Sequence, residues 1–313
     1  MKAKPSKAAQ GRANRQMAAP KLPALPSPTV RFDERFPTRL EKLEARFRAL
    51  KMRSEGAGGA RLAGPGEEFV GHRPFREGED PRNLDWNLFA RFDQPFVRVF
   101  KREASERWSV MIDTSASMGL GEPGKLQAAC EVAAGIGAIA QAAGARLSLI
   151  TASSSFEFLR LTDLKPMLRF LEGLVADGEE GLGTLVSGGT ASQTLRDTGR
   201  LFAIGDFWDL EAKDLLSLAG RDRELFLMRM LSPEELDPLG YLGARQIEWP
   251  MDMIDAEAGT RLRVGEETAR AYERELESDL EQWERQAAGH RAKWHLATSD
   301  DSMEATFAGV LGL

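Results

Sequence analysis

The sequence holds few of the residues that bind zinc or carry nucleophilic chemistry. It has one cysteine and three histidines among 313 residues. Cys130 alone excludes an intrachain disulfide, and it lies in an alanine-rich helical pattern where a small buried side chain is expected. His72, His290 and His295 are far apart in the sequence, which disfavours a shared zinc site. Any metal site is therefore expected to use oxygen ligands.

Long hydrophobic runs and the common catalytic loops are also missing. No apolar run approaches the roughly 20 residues that cross a bilayer, and the basic N-terminus lacks the apolar centre of a secretory signal. We therefore expect a cytoplasmic protein with no membrane span. Neither a Gly-x-x-x-x-Gly-Lys-Ser/Thr phosphate loop nor a Gly-x-Ser-x-Gly nucleophile elbow occurs in the sequence. The chain is predicted not to be a P-loop ATPase or a serine hydrolase, and we expect no enzymatic activity.

The charge of the chain is unevenly distributed. The net charge is −6, but residues 1–60 hold 14 Lys/Arg against 5 Asp/Glu, a net +9, so the remainder carries −15. A basic arm of this kind is compatible with nucleic acid or with an acidic partner. Because aromatic residues do not interleave with the basic ones, and no nucleic-acid-binding module is recognisable, we predict no nucleic-acid partner.

Composition divides the chain into three parts. Residues 1–30 are rich in Lys, Ala, Pro and Ser, which predicts a disordered basic tail. Residues 31–107 begin with an amphipathic helical pattern at about 37–52 and continue into a segment, residues 67–107, where charges and aromatics alternate with turn residues. Strand and helix patterns alternate through residues 108–313. This predicts an α/β fold with a doubly wound, mostly parallel sheet flanked by helices, a C-terminal helical extension, and the N-terminal part packed on it.

One loop carries the strongest candidate ligands. Asp113-Thr-Ser115-Ala-Ser117 follows the apolar run at residues 108–112, and Asp206 ends a later predicted strand. Ligands of such sheets bind outside the carboxyl ends of the strands, so we expect both carboxylates at one edge. Carboxylate and hydroxyl oxygens suit Mg²⁺, Mn²⁺ or Ca²⁺ rather than zinc. The residues therefore predict a site for a divalent cation, with Mg²⁺ as the first candidate.

A plainer interpretation remains open for the same residues. In this interpretation Asp113, Ser115 and Ser117 form a strand-end turn that caps the next helix, and Asp206 caps a helix at about residues 209–218. The two interpretations are compatible for Asp206.

These motifs resemble a known family. Asp-x-Ser-x-Ser after an apolar strand, with a later strand ending in Asp, resembles the metal-ion-dependent adhesion site of von Willebrand factor A domains. The stretch from Gly71 to Arg91, which includes Gly71-His-Arg-Pro-Phe and Asp85-Trp86, resembles the signature of the bacterial "domain of unknown function 58" family, which carries a von Willebrand factor A-like domain. Asp255-Ala-Glu-Ala-Gly259 also fits that family. The resemblance covers roughly residues 35–313.

The resemblance implies further features of the site. It implies a Thr ligand on the loop before the Asp206 strand, for which Thr184 and Thr190 are the candidates, and spacing favours Thr184. Gly205 departs from the family, which usually has Ser before this Asp. The resemblance also implies that an acidic side chain of a partner, a MoxR-type AAA+ ATPase, completes the coordination of the metal. The implied role is that of an adaptor in chaperone-like work or complex maturation.

Two other functions stay open at this point. One is a Mg²⁺-dependent phosphate-processing enzyme, since two carboxylates and a metal can serve such a reaction. The other is a purely structural interaction protein in which the metal site is vestigial and residues 67–107, with the long acidic helix, form the contact surface.

Overall fold

The computed structural model describes residues 30–56, 68–75, 85–92, 94–101, 106–158, 163–177, 181–187, 195–220, 222–256 and 259–311. The strands are β1 (Glu68–Pro74), β2 (Phe96–Lys101), β3 (Arg107–Ile112), β4 (Arg146–Ile150), β5 (Ser155–Phe158), β6 (Arg200–Gly205), β7 (Glu224–Leu231), β8 (Met251–Ile254), β9 (Arg261–Val264) and β10 (Lys293–Thr298). The helices are α1 (Phe36–Gly56), α2 (Trp86–Phe92), α3 (Lys125–Ala143), α4 (Lys165–Glu172), α5 (Leu182–Ser187), α6 (Ala212–Leu216), α7 (Pro233–Leu236), α8 (Pro238–Ala244), α9 (Glu266–Gly289) and α10 (Met303–Leu311). The strands and the longer helices after Arg107 fall where the sequence predicts them.

A six-stranded sheet organises this part of the chain. Its strand order is β10-β7-β6-β3-β4-β5, and all neighbours are parallel except β4 and β5. The residues of β3 and β6 are buried in an unbroken run after the first position, as expected for parallel strands covered on both faces. After β3 the chain builds β4 and β5 on one side and then returns to build β6, β7 and β10 on the other. The order therefore reverses between β3 and β6, and the predicted mixed α/β fold with a mostly parallel sheet is confirmed.

Each face of the sheet has its own hydrophobic core. The first core, beneath α1, α3, α4 and α10, includes Phe202, Phe226 and Phe307. The second, beneath α6 and α9, includes Phe207 and Trp283. Helices therefore cover both faces, as the alternation of elements predicts.

The helix α3 contacts its neighbours at very short range. A Cβ atom added at Gly135 would lie 2.3 Å from Phe307 Cε2, and one at Gly137 would lie 2.2 Å from Met167 Sδ. Side chains of α10 and α4 thus pack directly against the α3 backbone. Within the described residues, α3 is also the helix that is long and apolar enough to cross a membrane, by length and composition alone. The sequence analysis did not identify it as such a helix. In the fold, 72% of its apolar window is buried.

The N-terminal helix belongs to the same core. Phe36, Leu40 and Leu43 are buried against the face that α3 covers, and the Arg39 guanidinium donates to both carboxylate oxygens of Glu304. Val30, the last residue of the predicted tail, is also buried, whereas residues 1–29 of that tail lie outside the described residues.

The segment at residues 67–107 contains more regular structure than its sequence indicates. β1 and β2 pair in antiparallel fashion, with α2 between them. β1 is difficult to recognise in the sequence, because a register shift between Phe69 and Gly71 interrupts its alternation. His72 Nε2 lies 3.0 Å from Asp85 Oδ2, so a side-chain hydrogen bond connects β1 to the residue just before α2.

Candidate metal centre

The two predicted carboxylates lie at the same edge of the sheet. β3 and β6 are adjacent parallel strands with Ile112 opposite Ile204, and the Asp113 N–H donates to the Ile204 carbonyl at 2.9 Å. Asp113 follows β3 directly and Asp206 follows β6 directly, and each is only 1% exposed. Both therefore sit at the carboxyl ends of the strands, at the point where strand order reverses, which is where ligands of such sheets bind.

The loop after β3 presents three oxygen atoms. The Ser115 N–H donates to Asp113 Oδ1 at 2.9 Å, and the Ser115 and Ser117 hydroxyls are 3.0 Å apart. Asp113 Oδ2 is buried and has no hydrogen-bond partner. A buried carboxylate oxygen without a partner carries a desolvation cost that a bound cation would offset.

The capping interpretation of this loop is wrong. The helix α3 begins at Lys125 after Gly124, and it has no side-chain cap. Nor does the Ser115 side chain cap the short 3-10 turn Ala116–Gly119 that follows it. The hydroxyls of Ser115 and Ser117 thus serve no helix terminus, and they remain available as ligands.

The charged form of the Asp113 carboxyl is disfavoured in the folded protein. Burial, and then the nearby Asp206 carboxylate, raise the pKa of Asp113 from its ordinary 3.8 to about 7, although the bonds from Ser115 act in the opposite direction.

No group of three or more His, Cys, Asp or Glu side chains that could hold a metal ion occurs among the described residues. One carboxylate with two hydroxyls is a different donor set, and its hard oxygens fit Mg²⁺, Mn²⁺ or Ca²⁺.

Asp206 is paired with a lysine that the sequence analysis missed. Lys125 is fully buried, and its Nζ donates to Asp206 Oδ2 at 2.8 Å and to Glu235 Oε1 at 2.6 Å. The other Glu235 oxygen accepts from the Ser232 N–H at 2.8 Å. Asp206 does not cap α6, because the N-cap of that helix is Glu211.

Two signals in the sequence point toward this cluster. Lys125 opens a helix, where the helix dipole disfavours a cation, so a carboxylate partner was to be expected. Ser232-Pro-Glu-Glu235 is a capping-box pattern, which fixes Glu235 at the start of α7.

The backbone of Asp206 is also held. Arg229 is 1% exposed, and its Nε donates to the Asp206 carbonyl at 2.9 Å while its Nη1 donates to Asp279 Oδ2 at 2.5 Å. The guanidinium lies 4.6 Å from the centre of the Trp208 ring. Arg229 therefore connects the end of β6 to the helix α9.

The threonine candidates are less well placed. Thr184 lies in α5 with an exposed side chain. Its neighbour Gly183 donates its N–H to Asp209 Oδ2 at 3.1 Å, so α5 approaches the site through Asp209. Thr190 lies outside the described residues. The ligand role of either threonine stays a prediction.

Asp209 is a third acidic residue near this edge. Burial raises its pKa, while the Gly183 N–H acts in the opposite direction, and the Asp209 charge contributes to the raised pKa of Asp113. The spacing Asp206-Phe-Trp-Asp209 at the end of a predicted strand was the signal that could have identified it.

Gly205 has a steric role beside Asp113. A Cβ atom at this position would lie 2.6 Å from Asp113 Cβ and 3.0 Å from Asp113 Oδ2. The absence of a side chain at Gly205 therefore gives the Asp113 side chain the space that it occupies.

Gly205→Ala is expected to lower the free energy of unfolding by about 1–3 kcal/mol, because overpacking a rigid sheet forces side chains or backbone to shift. Urea unfolding measures this. Gly243→Ala is the matched control, since a Cβ atom there meets nothing within 4 Å. Equal stability of Gly205→Ala and wild type would show that the Asp113 side chain has room to move.

Comparisons with known proteins place the chain in a family. A search of curated proteins gives no match. Among solved structures, the chain is similar to an aerotolerance-related membrane protein from Bacteroides fragilis NCTC 9343, with 14% identity and a TM-score of 0.39 over 67% of this chain and 100% of that one. The family model described as "Protein of unknown function DUF58" matches residues 71–282. The chain belongs to this DUF58 family.

Proposed function

We propose that this protein is a non-enzymatic, metal-dependent protein-binding module with a von Willebrand factor A-like fold. Asp113, Ser115 and Ser117 would hold the cation, with Mg²⁺ as the first candidate. The observation that carries the proposal is the buried Asp113 Oδ2 atom, which has no hydrogen-bond partner and belongs to the same short loop as two hydroxyls that cap no helix. When bound, the cation supplies positive charge and a coordination position for an external acidic ligand.

In this proposal the partner is a MoxR-type AAA+ ATPase, and the chain is its adaptor in chaperone-like work or complex maturation. An Asp or Glu of the ATPase would complete the coordination of the metal. Trp208 is 43% exposed and Leu120 is 41% exposed, and they follow the Asp206 and Ser117 positions in the chain. An exposed tryptophan is typical of a protein interface, because aromatic side chains are enriched there.

The positions of the histidines support a non-enzymatic role. His72 contacts Asp85, and the His290 ring lies 2.9 Å from the Gln286 carbonyl. His295 lies where a Cβ atom at Gly309 would meet its ring. None of these three contacts involves a residue of the Asp113 loop, as expected if no imidazole serves there as a general base.

A capture experiment tests the proposal. The full chain is immobilised and offered a purified MoxR-type ATPase from the same genome, in excess Mg²⁺ or in EDTA. We expect capture in Mg²⁺ and its loss both in EDTA and with Asp113→Ala. Asp163→Ala is the matched control, because Asp163 is an exposed aspartate before α4, and it should bind as wild type does. If capture is unchanged both in EDTA and with Asp113→Ala, binding through a metal ion is contradicted.

One observation favours the purely structural alternative. The Lys125 ammonium already neutralises Asp206, as it would where a metal site has become vestigial. That function predicts EDTA-insensitive capture that is lost when the exposed Trp86 of α2, 62% exposed, becomes Ala. A phosphate-release assay on the purified chain addresses the phosphate-processing enzyme, for which we expect no turnover.

A further inference from the structure

Lys125 requires an explanation that its helix does not supply. Its side chain is fully buried, and burying an ammonium is costly unless carboxylates pair with it. As the first residue of α3, it also lies where the helix dipole disfavours positive charge. The ammonium is held from two sides, by Asp206 at 2.8 Å and by Glu235 at 2.6 Å. The reason for its position must therefore lie in these two carboxylates.

Asp206 and Asp113, which end β6 and β3, differ in their hydrogen-bond partners. Asp206 Oδ2 is occupied by the Lys125 ammonium, while Asp113 Oδ2 has no partner. Glu235 is itself fixed, because its second oxygen accepts from the N–H and the hydroxyl of Ser232. The ammonium beside Asp206 is therefore also held by a glutamate that is itself anchored.

We infer that Lys125 is an internal cation that keeps Asp206 from binding the metal directly and so lowers the affinity of the site. This inference rests on the proposed metal site. With Lys125 in place, the oxygen left for a cation at the ends of β3 and β6 is the unpartnered Asp113 Oδ2, together with the Ser115 and Ser117 hydroxyls. The number and charge of carboxylate ligands set the affinity of such sites. Lys125 is accordingly a positioning residue.

The test is the dissociation constant of Mg²⁺ alone, measured by calorimetry on the full chain. Lys125→Met removes the charge but keeps an unbranched side chain, and we expect it to bind Mg²⁺ at least about tenfold more tightly, because a second carboxylate becomes available. Lys213→Met, at an exposed lysine of α6, should leave the affinity unchanged. Adding Asp206→Asn should change the Mg²⁺ affinity little in the wild-type background. In the Lys125→Met background it should lower the affinity by about tenfold or more.

The outcomes separate this inference from the proposed function. If wild type binds Mg²⁺ and Lys125→Met binds it no more tightly, the inference is wrong and the metal site stands. If only Lys125→Met binds Mg²⁺, the inference is supported and metal-dependent function of the wild type fails. If neither binds, both fail. If Lys125→Met does not fold in EDTA, refolding on addition of Mg²⁺ supports the inference. If Lys125→Met does not refold in Mg²⁺ although the double variant Lys125→Met, Asp206→Asn does fold, the inference is overturned.

Discussion

Replacing Asp113 with Asn is expected to make the metal-free protein more stable at pH 8, by about 4 kcal/mol. The wild-type carboxylate is buried beside Asp206, and its Oδ2 atom has no partner. Asparagine keeps the shape and the acceptor that the Ser115 N–H uses, but it carries no charge. Most substitutions at buried positions destabilise, so an increase in the free energy of unfolding would be a specific result.

The effect has a defined dependence on pH. The pKa of Asp113 is about 7 in the folded protein against an ordinary 3.8, so the folded state binds this proton more tightly. The stability that this proton contributes is complete below about pH 4 and is lost as the pH rises to about 7. The advantage of Asp113→Asn over wild type should therefore grow between these values and then level off. Urea unfolding in EDTA at several pH values measures it.

Addition of Mg²⁺ should reverse the order of stability. Mg²⁺ is expected to raise the free energy of unfolding of wild type, because a ligand that binds only the folded state stabilises it, and to have little effect on Asp113→Asn. Asp163→Asn serves as the control for an exposed aspartate. If Asp113→Asn is less stable than wild type in EDTA at pH 8, the Asp113 charge is compensated within the protein and the argument for a cation there is lost.

Arg229→Met is expected to lower the free energy of unfolding by about 2–4 kcal/mol. The change leaves the buried Asp206 carbonyl without its donor and removes the guanidinium from the Trp208 and Trp283 rings. Asp279 loses its partner as well, but it is 41% exposed and water can replace the bond. Thermal or urea unfolding measures the difference.

Arg245→Met provides the comparison for this substitution. Arg245 is also stacked on an aromatic ring, that of Tyr241, but it is exposed. We expect a change within about 0.5 kcal/mol, as for most surface substitutions. If Arg229→Met costs no more than Arg245→Met, the buried contacts of Arg229 contribute no net stability.

The sheet and the edge that carries the candidate site were predictable from local patterns. Strands buried on both faces read as apolar runs, and the residues that end them, Asp113 and Asp206, mark the carboxyl edge. β1 and α2 were not predicted, because a register shift and the mixture of charges with aromatics leave no period to read. The short helices α7 and α8 fall below the length at which a helical period is recognisable.

The electrostatic interactions of the site could not be predicted from the sequence. In the sequence, 81 positions separate Lys125 from Asp206 and 110 positions separate it from Glu235. The three side chains come together only because α3 packs against the ends of β6 and β7. The choice between Thr184 and Thr190 stays a prediction for a related reason. Spacing along a loop does not determine which side chain faces inward, and α5 presents Thr184 outward.

The helix α9 has a consequence for any force applied to the protein. It has 24 residues, which makes a rod about 36 Å long. Through Asp279 and Arg229 it reaches the backbone of Asp206, and through Tyr272, which donates to the Glu235 carbonyl, it reaches the pair formed by Glu235 and Lys125. A shift of this rod therefore transmits strain to both the main chain and the side chain of one aspartate. By thermodynamic reciprocity, a ligand that moves that aspartate must act on the helix with the same coupling energy.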